Sequence, residues 1–245
     1  MAPFGASRAG LMSTRVDAIP DSVLLQYKAT EVAAGDTTWP DDNDVADMTL
    51  TGNESDETMS DGSESLGFDG DNDHGLIDFS NELSNEFQTE YTIELAFETT
   101  ESSETSTPIG FQENDNQRIQ TFLNRDENFN SDDGNLLFRI TDDSDNRLIV
   151  AFDSSPNLND GTRQNLSIVV EDASSNDVKF ILNGVEEDVS IADSDGPNNF
   201  VDWTRDFTIS AYNREGSIEA HSEIDYGALR LHDEAIDEQT IGDYV

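Results

Sequence analysis

Four aspartates in the stretch DGDNDHGLID are the first residues whose type and spacing suggest chemistry. Asp69, Asp71, Asp73 and Asp78 follow part of an EF-hand rhythm, and carboxylate oxygens so spaced are hard ligands for Ca²⁺ or Mg²⁺. The match is incomplete. His74 stands where the loop needs its sharp-turn glycine, and Ser80 where it needs a bidentate glutamate. The competing reading is a solvated acidic loop, because such loops recur along the whole chain. His74, His221 and His232 are far apart in sequence, and no zinc-protease, nucleophile-elbow or phosphate-loop motif accompanies them. Trp39 and Trp203 could stack on sugar rings, but their positions beside a turn and a strand read more simply as packing. Asn53-Glu54-Ser55 and Asn165-Leu166-Ser167 match the glycosylation acceptor pattern; in a protein made in a cytoplasm they stay unmodified.

These residues sit in an extreme electrostatic setting. Fifty-four acids against twelve bases give a formal charge of −42 over 245 residues. Apolar residues alternate at period two in many short runs, which a disordered acidic chain does not show. The expected setting is brine. At about 1 M salt the Debye length is roughly 3 Å, so surface carboxylates stop repelling one another while still binding water. The acids are spread through nearly every loop, and ten arginines outnumber two lysines, Lys28 and Lys179. No basic stripe exists to neutralise phosphates, so nucleic acid is not an expected partner. Nor is membrane insertion, since no apolar run approaches the roughly 18 residues of a spanning helix. The absence of cysteine removes disulfide and thiol chemistry.

The elements that must position any site read as β. EYTIELAFETT sets Tyr91, Ile93, Leu95 and Phe97 on one face and Thr92, Glu94, Ala96 and Glu98 on the other. NLLFRITD, RLIVAFDS and NLSIVVED repeat the pattern through Leu136, Phe138 and Ile140, then Leu148, Val150 and Phe152, then Leu166, Ile168 and Val170. In DVKFILNGVEEDVSI, Asn183-Gly184 supplies the positive-φ pair of a type I′ turn, with Val185, Val189 and Ile191 on the return strand. In the last long strand Ile224 and Tyr226 share one parity and Leu229 and Leu231 the other, so a bulge at Gly227 is expected. About a dozen antiparallel strands separated by Asp, Asn, Gly and Ser turns predict an all-β sandwich over residues 21–245. Only AIDEQTIGDYV reads as helical. Residues 1–20 carry a slight positive charge and no clear period, and read as an extended N-terminal arm, either a frayed terminus or a segment that orders against another subunit; they lack an apolar h-region, so no export signal is expected.

The order EYTIELAF, LLFRITD, RLIVAF, NLSIVVED, FILNG, FTISAYN and finally IDYGALRLHDEAID resembles the laminin-G/concanavalin A-like lectin–glucanase superfamily over roughly residues 85–245. FILNG stands where that family has a Y-x-N-G-like strand end. The resemblance implies a jelly-roll β-sandwich. FGASRAGLMS resembles the leaders of phage tail and receptor-binding proteins, and SVLLQYKATEVAAGDTTWPDDND resembles the opening of lectin-like domains in structural proteins of haloarchaeal tailed viruses. Glucanases of the superfamily carry E-x-D-x-x-E, with both catalytic carboxylates on one strand face. The nearest match, EIDYGA, offers Glu223 and Asp225 but places Ala228 where the acid/base should stand; ESDET at 54–58 is misspaced and reads as loop. No enzyme is therefore expected. The expected function is a non-enzymatic virion surface protein, a tail fibre, turret or capsid decoration made in the host cytoplasm. Its arm would dock on other virion subunits, the assembly would be a trimer or pentamer, and the sandwich would meet host surface glycans. The alternative is a secreted or cell-surface lectin of a halophile.

Overall fold

The computed structural model describes residues 23–52, 54–79, 83, 85, 87–102, 106–123, 135–154, 156–214, 216–236 and 241. The expected arm over 1–20 and most of the expected helical turn over 235–245 lie outside the described residues. In chain order the strands are β1 (Val23–Lys28), β2 (Thr38–Trp39), β3 (Met48–Thr51), β4 (Ser55–Thr58), β5 (Glu64–Asp69), β6 (His74–Ile77), β7 (Tyr91–Glu98), β8 (Ile109–Gln112), β9 (Arg118–Leu123) and β10 (Leu136–Thr141). They continue as β11 (Arg147–Phe152), β12 (Gln164–Asp172), β13 (Asp177–Leu182), β14 (Val185–Glu187), β15 (Val189–Ser194), β16 (Phe207–Ile209), β17 (Tyr212–Arg214), β18 (Ser217–Glu219) and β19 (Glu223–His232).

The alternation folds as two stacked sheets. An eight-stranded sheet runs β14-β13-β12-β7-β19-β5-β4, with β1 also on β19. An eleven-stranded sheet runs β15-β11-β10-β9-β8-β16-β6-β3-β2, with the β17–β18 hairpin attached to β8. Pairing is antiparallel except between β17 and β8. Tyr91, Ile93, Leu95 and Phe97 face the core from β7, and Phe138, Val150 and Phe152 face them from the other sheet. Phe79, Phe87, Phe111, Phe207 and Trp203 form a chain of ring contacts, with Phe111 and Trp203 centroids 4.3 Å apart. Burying each such side chain contributes about 1.5–3 kcal/mol. Both tryptophans are fully buried packing residues, with indole N–H groups donating to Lys28 O and Phe87 O.

Several local expectations hold. Asn183 and Gly184 both have positive φ, 51° and 80°, as a type I′ turn requires. The register of β19 against β7 shifts between Tyr226 and Ala228, which places the bulge at Gly227. That bulge is where β19 changes neighbours: Glu223–Tyr226 pairs with β5, and Ala228–His232 pairs with β1.

Other expectations are corrected. The return strand of the DVKFILNGVEEDVSI hairpin does not stay with its partner. Glu187 still pairs on β13, but from Val189 the chain crosses to the other sheet and pairs with β11. Both pieces are edge strands, so Val185 and Ile191 remain 59% and 46% exposed. The segment 54–58 is a strand, β4, not a loop. The stretch from Asp69 to Asp78 is not one acidic loop: it is the end of β5, a short turn and all of β6.

Glu234, Ile236 and Ile241 lie on the outer face of the eight-stranded sheet. The Thr92 hydroxyl donates to Glu234 O and accepts from Ile236 N, and Ile241 N donates to Glu94 Oε1 at 3.3 Å. Ile241 packs on Ala96 and Ala228. Beneath this cover Glu94, Arg230 and His232 are fully buried, with His232 Nε2 3.1 Å from Glu94 Oε2 and the Ser167 hydroxyl donating to Glu94 Oε1. A charge so deep persists only with such partners.

One buried carboxylate ties the loops at an end of the eleven-stranded sheet. Asp142 accepts from the backbone N–H groups of Ser144, Asn146, Asn198 and Asn199 and from the Asn146 side-chain amide, at 2.8–3.0 Å. Burial alone would raise its pKa, but these donors favour the anion and hold it below the ordinary aspartate range. Asp142→Ala is expected to cost about 2–3 kcal/mol in urea unfolding, since five donors lose a charged acceptor. The deficit should be complete above the unfolded aspartate value of about 3.9. It should shrink as pH falls through the lower folded value, where the parent loses the same contribution.

Candidate functional site

Strand register assembles the site. On the outer face of the eleven-stranded sheet, Cα partners run Arg214 to Gln112, Gln112 to Arg118, Arg118 to Thr141, and Thr141 to Arg147. This row crosses five strands, about 19 Å at a spacing of about 4.8 Å. One step along the strands the row is Gly110, Gln120, Arg139 and Ile149. A further step gives Phe122, Leu137 and Ala151. Each is the alternate of a core residue, so the same period that builds the core delivers these side chains to the opposite face. The face grades from guanidinium groups and amides at one end to the Phe122, Leu137 and Ile149 cluster at the other.

Tyr212 completes the polar end. It shares the parity of Arg214 on β17, and its hydroxyl donates to Gln112 Oε1. Burial raises the Tyr212 phenol, and the positive charges of Arg118, Arg139 and Arg214 oppose that rise. The charges of three guanidinium groups are therefore felt at one phenol. Arg118 Nε and Nη2 donate to the carbonyls of Asn116 and Asp115. Arg139 Nε donates to the Thr141 hydroxyl at 3.2 Å. At the margins Arg147 meets Asp193 at 3.3 Å and Arg214 meets Glu219 at 3.9 Å.

The loops bordering the polar row are fixed by side chains. Asn114 Oδ1 accepts from Asn116 N and Gln117 N, and its amide donates to Asp143. Gln117 exchanges two hydrogen bonds with the Val201 backbone, and the Glu113 carboxylate accepts from Thr204 N and Arg205 N. With Asp142, these contacts join the turns at 113–117 and 142–146 to the segment 198–205, immediately beside Gln112, Arg118, Thr141 and Arg147.

The carboxylates singled out in sequence lie elsewhere. Asp69, Asp71 and Asp73 gather at the β5–β6 turn, where Asp69 Oδ1 accepts from Asp71 N and Asp73 Oδ2 from Asp69 N. Asp78 is at the far end of β6, beside Asp206. Glu54 turns into the Asp69–Asp73 corner; burial first, then Asp73 and Asp69, raises its pKa. Among the described residues no group of three or more His, Asp or Glu side chains is arranged to hold a metal ion. The histidines are less scattered than their spacing suggests: the rings of His74 and His221 lie 5.5 Å apart, and His221 Nδ1 is 3.3 Å from Asp73 O.

Ala228 is buried under Ile241, so β19 provides no third carboxylate. Neighbouring strands provide others. Glu98 is the cross-strand partner of Asp225, and Glu57 lies close by over Gly67, where an added Cβ would meet both Asp225 and Glu57 within 3 Å. Glu98, Glu223 and Asp225 line a cleft of about 90 Å³.

No known family profile matches the chain, and no curated protein is significantly similar to it in sequence. Solved structures do match in fold. Domain 4 of AbnA, a GH43 extracellular arabinanase from Geobacillus stearothermophilus solved with arabinotriose, superposes with TM-score 0.60 at 15% identity, covering 88% of this chain and 94% of that one. The botulinum neurotoxin serotype D binding domain superposes with TM-score 0.61 at 11% identity, covering 89% and 49%. A Trypanosoma rangeli sialidase mutant displaying trans-sialidase activity superposes with TM-score 0.56 at 10% identity, covering 88% and 31%. The chain thus spans about half of the neurotoxin domain and a third of the sialidase. At these identities the likeness establishes a jelly-roll β-sandwich. None of the three is viral.

Burial, then the charges of Glu57, Glu98 and Glu223, pushes the Asp225 carboxyl up to about 6. The folded state binds this proton more tightly than the unfolded chain. Its stabilising contribution is complete below the unfolded value of about 3.9 and is lost as pH rises through the folded one. Asp225→Asn should therefore stabilise the protein by about 1 kcal/mol at neutral pH, after discounting for solvent screening. That is a melting-temperature gain of a few degrees by calorimetry, and it should vanish below about pH 4.

Proposed function

We propose that the protein is a non-catalytic saccharide-binding module that engages its ligand with the outer face of the eleven-stranded sheet. The observation that carries this reading is the cross-strand row Arg214, Gln112, Arg118, Thr141 and Arg147, with Gln120, Arg139 and Tyr212 beside it. Planar guanidinium forks recognise sugar hydroxyls and ring substituents, and Arg147 and Arg214 stand 41% and 62% exposed at the ends of the row, beside Gln112, Gln120, Thr141 and Tyr212, which are buried, and between loops that are already fixed. Preorganisation lowers the ordering cost of binding. The opposite sheet is less suited, because Glu234, Ile236 and Ile241 cover part of its outer face. The AbnA domain, solved with arabinotriose and matched along nearly its whole length, supports a saccharide as the ligand class.

The charge of −42 favours display in brine, on a virion or on a halophile's cell surface, with residues 1–20 as the anchor in the first case. Antibody labelling of purified particles against labelling of cell envelopes separates the two settings.

Binding is tested on a polysaccharide and glycan panel in molar salt. Arg147→Ala and Arg214→Ala, at the 41% and 62% exposed ends of the row, are each expected to weaken the best ligand about tenfold, the loss of one to two well-made hydrogen bonds, with the melting temperature unchanged by more than a few degrees. Unaltered affinity in both would move the site off this face.

A further inference from the structure

We propose that His74 and His221 form a two-imidazole site for a divalent transition-metal ion such as Zn²⁺ or Ni²⁺, at the corner where β6 begins and the chain turns into β19. The tautomers are the first reason. His74 Nδ1 lies 3.0 Å from Asn72 O, and His221 Nδ1 lies 3.3 Å from Asp73 O. A carbonyl oxygen only accepts, so in both rings Nδ1 carries the proton and the metal-binding lone pair falls on Nε2. A backbone carbonyl on the other ring nitrogen is the support that metal-ligating histidines ordinarily have. Neither Nε2 has a hydrogen-bond partner among the described residues, and neither is sealed from solvent.

Separation is the second reason. The two ring centroids are 5.5 Å apart, with the planes inclined at 53°. Two imidazoles on one ion, with nitrogen–metal bonds of about 2.0–2.1 Å at a tetrahedral angle, have centroids about 5–5.5 Å apart. The rings already stand at the spacing that a shared ion requires.

The chain that carries them is anchored. His74 opens β6 with Thr51 of β3 as its cross-strand partner. Asp73 is fully buried, its Oδ2 accepts from Asp69 N, and Gly52 packs so closely that an added Cβ would lie 1.9 Å from its Oδ1. Ser222, next to His221, donates its N–H to Ser210 O at 2.8 Å, and its hydroxyl accepts from Thr107 N at 2.6 Å. Ligands held in this way lose little freedom on binding.

The setting selects the ion. Glu54 and Asp69 share the corner with Asp73, so negative charge favours a cation there. Mg²⁺ and Ca²⁺ seek several oxygens, and among the described residues no trio of acidic or histidine side chains is arranged to hold them. Imidazole nitrogen suits zinc, nickel and copper instead. The chain has no cysteine and three histidines, and the third, His232, is fully buried against Glu94. His74 and His221 are therefore the histidines open to a metal ion.

The test is calorimetric titration of the EDTA-stripped full chain with Zn²⁺ and with Ni²⁺. The medium is molar potassium nitrate with excess Mg²⁺ to occupy surface carboxylates, at about pH 7.5, where free imidazole is mostly neutral. The expected result is one ion per chain and a melting temperature raised by a few degrees, since an ion that binds only the folded state stabilises it. His74→Gln and His221→Gln should each weaken binding at least tenfold and remove the rise, while the metal-free proteins melt within a few degrees of the parent. If His74→Gln does not fold, His221→Gln decides alone, because that side chain is partly exposed and lies outside the strands. Binding that survives His221→Gln, or that Mg²⁺ abolishes, would assign the ion to carboxylates and overturn the imidazole site. Failure of the parent to bind either ion would overturn it too, and would leave the saccharide reading untouched.

Discussion

The structure depends on strands that present opposite chemistry on opposite faces and do not slip by a residue. A one-position shift on β7 would put Glu94 into the aromatic core and expel Leu95. Burial of Tyr91, Ile93, Leu95 and Phe97 on one side sets that register, and the paired Glu94, Arg230 and His232 on the other reinforce it. In so acidic a chain this separation is demanding. Carboxylates must be kept to the exterior or given donors, as Asp142 and Glu94 are; where neither is complete, as at Asp225, the cost appears as a carboxyl that holds its proton at unusually high pH.

The same constraint explains what was legible in the sequence. Strands β7, β10, β11 and β12 alternate because one face packs into the core between the sheets, and their inward residues were named correctly from period alone. The bulge at Gly227 was readable because parity changes across a glycine. Strand β4 was not, because none of Ser55, Asp56, Glu57 and Thr58 is buried, so no period marks it. Strand β15 misled for the opposite reason: Val189 and Ile191 suggested a core face, but the strand lies at a sheet edge.

The candidate site was less legible than the fold. The tight spacing of Asp69, Asp71 and Asp73 drew attention, yet Asp78 is carried off along β6. The arginine face gave no signal, since Arg118, Arg139, Arg147 and Arg214 are separated by whole strands and loops. Only pairing register brings them into adjacent rows. A reading that scored each arginine by its scarcity in an acidic chain, then by its parity within its own strand, would have found that they face away from the core.

The position of β19 has a consequence for the order of synthesis. The first described strand and the last are neighbours, Val23 pairing with His232, and β19 lies inside its sheet between β7 on one side and β5 and β1 on the other. A chain emerging from the ribosome can close the β8–β11 meander early, from neighbours in sequence. The other sheet stays split, with β1 lacking any strand partner and the edges of β5 and β7 bare, until the last strand is released. Exposed ladder edges invite pairing between nascent chains, so the sheet passes its most vulnerable moment just before β19 emerges, and the water held by the chain's many carboxylates is what opposes contact between neighbouring half-sheets during it.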